Sequence, residues 1–250
     1  MAATKERTDK RSDDRKHTNM SIAINEKVND FVQKNRRALL IVVLAIIVIL
    51  IGFITALSVN SKIQEKAFSK IDDFNTRYEA LQSYIGGDAA AQDAATAQDT
   101  AAKQADISAL QNELAAFAKK NTGFAAARAY SLSANIFEAQ QNWAEAEKAW
   151  SACAKAAPKS YLAPVAVFNA AVAAEEQGNT DSAIGLYTQA MGYGDSFPAA
   201  ARAQFSVARL EESRSNKDAA LTAYRNLVSK WPNDPVWTNL AQSRIMVLSN

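Results

Sequence analysis

QNWAEAEKAW (Gln141–Trp150), GNTDSAIGLY (Gly178–Tyr187) and SNKDAALTAY (Ser215–Tyr224) align without gaps at a period of 37 residues. Ala146, Ala183 and Ala220 coincide, followed four residues later by the aromatics Trp150, Tyr187 and Tyr224, and then by Cys153, Ala190 and Leu227. Twelve residues upstream of each first alanine stands another: Ala134, Ala171 and Ala208. Two antiparallel helices that cross closely need a small residue on each at the crossing and a ring one turn along to fill the adjacent gap. The alanines are therefore packing residues, and the expected fold class is all-α, a solenoid of helix pairs. Pro158 and Pro232 are two periods apart, whereas Pro198 comes three residues late, so the middle repeat has the longer exit loop. Repeats are placed at about residues 127–163, 164–200 and 201–235.

Extending the period backward puts Ile107–Lys120 (ISALQNELAAFAKK) at a second-helix position, with Ile63–Ile85 as its first helix. Between them, Gly86–Lys103 (GGDAAAQDAATAQDTAAK) is biased in composition and poor in large apolar residues, and is expected to be a mobile insert. Extending forward puts Val236–Leu248 (VWTNLAQSRIMVL) at a final first-helix position, as a capping helix.

Ala38–Val59 (ALLIVVLAIIVILIGFITALSV) carries no charge. As a helix it would extend roughly 33 Å, enough to cross a bilayer core. A cleaved signal peptide is the rival reading, but its apolar region would be shorter and would not follow a long polar segment. Residues 1–37 hold ten Lys/Arg against six Asp/Glu, with Lys34, Arg36 and Arg37 abutting the span. Because the basic flank stays in the cytoplasm, the tail is expected inside and residues 60–250 outside the cytoplasm. Residues 1–19 lack apolar clusters and are expected to be disordered, while Ile22, Ile24, Val28, Phe31 and Val32 form the apolar stripe of a short juxtamembrane helix.

The alanine and aromatic spacing, closed by prolines, resembles the tetratricopeptide repeat over residues 127–248. Tyr130, Val167 and Gln204 stand where that family favours tryptophan, and the period exceeds the usual one. The resemblance implies a binding groove lined by the first helix of each pair. Its positions fall on Arg128, Ser131, Asn135 and Glu138, then on Val165, Phe168, Val172 and Glu175, then on Arg202, Phe205, Arg209 and Glu212. Phe168 and Phe205 are the expected apolar anchors, turned toward the groove and away from the helix crossings. The order of elements, with Phe31–Leu39 (FVQKNRRAL) leading into one span followed by degenerate repeats, resembles bacterial membrane-anchored proteins of the YfgM type, ancillary subunits of the Sec translocon. That resemblance implies an inner-membrane protein with periplasmic repeats, and translocon subunits or periplasmic chaperones as partners.

Other chemistry finds little support. The formal net charge is only +2, far from the basic excess of a nucleic-acid binder. Cys153 is the single cysteine and His17 the single histidine, the latter in the charged tail, so neither a metal cluster nor a nucleophile–base pair is expected. Gly86–Gly87 is the one adjacent glycine pair, and it forms no phosphate loop. No enzyme activity, cofactor or small-molecule substrate is expected. The reading is a membrane-anchored adaptor that binds proteins; the alternative is a structural component of a larger envelope assembly such as a secretion or motility apparatus.

Overall fold

The structure, a computed structural model, describes residue 29, residues 31–86 and residues 97–249. The basic tail with His17, most of the juxtamembrane stripe and residues 87–96 of the insert lie outside the described residues. The chain divides into two compact units, Met1–Ile63 and Gln64–Asn250.

In the first unit, the long helix α1 (Arg36–Ile85) begins. Its segment Arg36–Thr55 has a mean hydropathy of 3.3 and is long and apolar enough to cross a membrane, with none of it buried. Leu40, Ile41, Ile49 and Phe53 are among its exposed side chains. The span expected from sequence, residues 38–59, overlaps most of this segment.

In the second unit, the residues of α1 from Gln64 onward bury Ala67, Ile71, Phe74, Leu81 and Ile85. With half-buried Tyr78 between Phe74 and Leu81, the spacing alternates four and three, which keeps one seam against a neighbouring helix. That neighbour is α2 (Ala97–Lys120), which supplies Ile107, Leu110, Leu114 and Ala118 to the same core. Phe74 meets Phe117 edge-on at 5.5 Å between centroids. Arg77 grips Glu113 through two bonds of 2.9 and 3.0 Å. The helix takes in Ala97–Lys103, the last part of the segment expected to be a mobile insert. Alanine is the strongest helix former, and once Ile107 and Leu110 anchor the helix it continues backward through an alanine-rich stretch at little cost.

Three helix pairs follow: α3 (Gly123–Ala139) with α4 (Trp143–Ala156), α5 (Leu162–Glu176) with α6 (Thr180–Met191), and α7 (Ala200–Ser213) with α8 (Lys217–Lys230). The helix α9 (Pro235–Ser249) closes the array. The alanines at all six crossing positions have no exposed surface, and Trp150, Tyr187 and Tyr224 are buried beside them. Each turn inside a pair is built alike. Gln141, Gly178 and Ser215, one period apart, hold φ of 57°, 73° and 62°, the left-handed conformation that ends a helix. The next residue is an asparagine in each case, and its amide nitrogen donates back to the preceding helix at 2.8 to 2.9 Å (Asn142 to Phe137, Asn179 to Ala174, Asn216 to Glu211). Asn142 and Asn179 also cap the second helix through their side chains. Gly is favoured at such a turn, so Gln141 and Ser215 hold the conformation at a small steric cost. The late proline of the middle repeat corresponds to a 3₁₀ turn, Gly194–Ser196, inserted before α7.

Candidate protein-binding surface

The residues expected to line the groove fall into two groups. At the C-terminal end of each first helix a glutamate meets the aromatic ring twelve residues on: Glu138 accepts from Trp150 Nε1 at 2.7 Å, Glu175 from the Tyr187 hydroxyl at 3.1 Å, and Glu212 from the Tyr224 hydroxyl at 3.0 Å. These bonds tie the two helices of a repeat together. The next repeat then adds an arginine. Arg209 pairs with Glu175 at 2.5 Å, and Arg244 pairs with Glu212 through both Nε and Nη2. Glu138 has no such cation among the described residues, because the place of Arg209 one period earlier is taken by Val172.

The titrations follow these contacts. The Arg244 bond, reinforced by the Tyr224 hydroxyl, holds Glu212 below its ordinary value against a smaller desolvation effect. Burial pushes the Glu138 carboxyl up, only partly opposed by the Trp150 N–H. Burial, with the nearby Glu212 carboxylate, raises the Tyr224 hydroxyl to about 12. Burial likewise pushes the Cys153 thiol up to about 12, which leaves it an inert core side chain.

Phe168 differs from its expected place. It is buried, 6% exposed, with its ring edge-on to Tyr187 at 5.2 Å and tilted against Phe197 at 5.8 Å. Arg202 of the next repeat lies over its remaining face, 5.0 Å from the centroid. Phe205 is half-buried between Tyr224 at 5.4 Å and Trp237 at 5.3 Å. Both rings therefore bridge one repeat to the next, and neither is the open anchor that the groove projection requires. Arg128 and Asn135 are half-buried, while Arg202 and Arg209 keep exposed flanks. Of the other groove positions, Ser131 is buried, its hydroxyl turned back on the Arg128 carbonyl at 2.8 Å, and Val165 is exposed.

What the projection missed lies one helical turn earlier. Phe124 and Tyr161 are one period apart, each four residues before Arg128 and Val165 on the same stripe. Their rings stand 5.7 Å apart, and Phe124 in turn lies 6.2 Å from Phe68 of α1. Tyr161 is 68% exposed and Phe68 40%. The three rings form an aromatic row across α1, α3 and the residue that leads into α5, open at Phe68 and Tyr161. The 37-residue spacing of Phe124 and Tyr161 was the signal that could have found it.

Residues 132–195 and 168–235 match the family profile of the tetratricopeptide repeat. A TPR repeat-containing protein of Treponema pallidum (strain Nichols) is 38% identical over 91 residues, a stretch that covers 36% of this chain and 37% of that protein. The chain thus aligns with little more than a third of its relative's length. Arrays of such repeats bind proteins through surfaces that single helix pairs cannot form. The helix pairs between residues 132 and 235 are therefore repeats of the tetratricopeptide kind.

Proposed function

We propose that the chain is a membrane-anchored adaptor that displays its repeats outside the cytoplasm and engages proteins in transit or folding at the envelope. The observation that carries the reading is the pairing, on one chain, of an apolar helix segment, free of charge from residue 38 onward, with a tetratricopeptide array. Lys34, Arg36 and Arg37 at the front of that segment support a cytoplasmic N-terminus. The likeness in layout to YfgM-type translocon subunits supports translocon components or periplasmic chaperones as the first partners to seek.

Topology is the first test. A reporter active only in the cytoplasm is expected to be silent when fused after Asn250 and active when fused ahead of Ala38. The reverse pattern would place the repeats inside and overturn the envelope role. Partners would then be identified by affinity purification from detergent. Substoichiometric recovery of translocon and chaperone subunits fits the adaptor, and stoichiometric recovery of one machine fits a structural component.

Within the repeats, the contact surface is placed at the first-helix stripe, with its anchor at the aromatic row of Phe68, Phe124 and Tyr161 rather than at Phe168 and Phe205. Tyr161→Ala is expected to leave the melting temperature within about 2 °C, since an exposed side chain is removed. It is expected to weaken partner binding by roughly tenfold or more, about 1.4 kcal/mol or above. Unchanged affinity by calorimetry or surface binding would remove the row from the interface.

A further inference from the structure

The last helix, α9, is seated as one more first helix. Its Arg244 takes toward Glu212 the place that Arg209 takes toward Glu175, and its Trp237 packs on Phe205 where Arg202 packs on Phe168. Both equivalences are offset by 35 residues, so Leu240 occupies the place of Phe205. In the two preceding repeats that place is covered by the aromatic ring of the second helix, Tyr187 on Phe168 and Tyr224 on Phe205. Among the described residues no aromatic ring is stacked on this position in α9, and Leu240 is 45% exposed.

Val236, Leu240, Ser243 and Val247 stand four, three and four residues apart, the spacing of a seam that packs against another helix. Val236 is 58% exposed, Val247 57% and the flanking Met246 65%. The single charge on α9, Arg244, is already engaged by Glu212. The open face is therefore uncharged as well as apolar.

Two features of this face choose its occupant. Val247 stands where Glu175 and Glu212 stand in the repeats before, so no carboxylate waits for the hydroxyl of a tyrosine on a second helix of the usual kind. What fits is an uncharged strip of aliphatic side chains with a small residue among them, and α9 presents such a strip. In a two-fold antiparallel pair, Val236 meets Val247 of the other copy and Leu240 meets its Ser243, large against small, and no like charges are brought together. We propose that the open face of α9 is a self-association surface on which the last helix of a second copy packs antiparallel.

The test uses the full chain in its membrane. With Val236→Cys and Val247→Cys on one chain, mild oxidation is expected to give a cross-linked dimer, because the two positions oppose each other across the seam. Cys153 is buried and does not compete. Val236→Cys alone is expected to remain uncross-linked. Leu240→Glu added to the double-cysteine chain is expected to cut the dimer about tenfold or more, since it sets a charge in an apolar seam; its thermal melt confirms that the chain remains folded. The proposal is overturned by absence of a dimer from the double-cysteine chain. It is equally overturned by cross-linking of the single variant to the same extent, by a dimer insensitive to Leu240→Glu, or by capture of a different protein at the two cysteines.

Discussion

Phe168→Ala is expected to lower the melting temperature by about 6–20 °C, read from helical circular dichroism. Truncating a buried phenylalanine costs about 3–5 kcal/mol, and in a domain of this size each kcal/mol moves the midpoint by about 2–4 °C. The ring is enclosed by Tyr187, Phe197 and the Arg202 guanidinium, so its removal leaves a cavity bounded by two repeats and the loop between them. A shift under about 2 °C accompanied by lost partner binding would return Phe168 to the role of groove anchor and would mean that these contacts open in solution.

Ala183→Trp is expected to abolish the cooperative thermal transition of the repeats. Ala183 and Ala171 have no exposed surface where α5 and α6 pack, and both belong to the largest core cluster. An indole cannot enter without separating the helices. Overpacking costs about 1–3 kcal/mol for small enlargements, and a change from methyl to indole lies beyond that range. The same separation would pull Tyr187 from Glu175 and from the Phe168 ring. A melting midpoint unchanged within about 2 °C would show that the alanine register does not mark the crossings.

The alanine register was readable because the requirement behind it is local and periodic. A crossing distance set by one methyl group on each helix repeats wherever the pair repeats, and all six positions are buried without remainder. The groove was less readable because the fate of a first-helix side chain depends on what the following repeat brings to it. Phe168 is enclosed by Phe197, delivered by the 3₁₀ insertion that follows α6, and by Arg202 of the next first helix. Neither contact has a counterpart one period earlier. The Glu–Arg couplings at 34 and 32 residues were invisible for the same reason: they join a repeat to its successor, and their spacing differs from the period itself. The aromatic row was legible in half, through the spacing of Phe124 and Tyr161, whereas Phe68 comes from outside the periodic region and only the fold places it there. The helical extension over Ala97–Lys103 shows a third case, in which a stretch without apolar anchors of its own takes its conformation from the anchored residues that follow.

The uneven distribution of arginines along the carboxylate ladder bears on how the array transmits strain. Solenoid stability is a sum of nearest-neighbour terms, so a linkage present at one boundary and missing at another makes those terms unequal. The boundaries from α5 to α7 and from α7 to α9 each carry an ionic clasp on the same edge, while the boundary from α3 to α5 has Val172 in that place and a half-buried, proton-avid Glu138 opposite. The first boundary is joined instead through Glu147 of α4, which accepts from the Gln177 side-chain amide at 2.7 Å and from the Ser182 hydroxyl at 3.2 Å, so the splice between repeats passes from a carboxylate–amide contact to ionic clasps along the array.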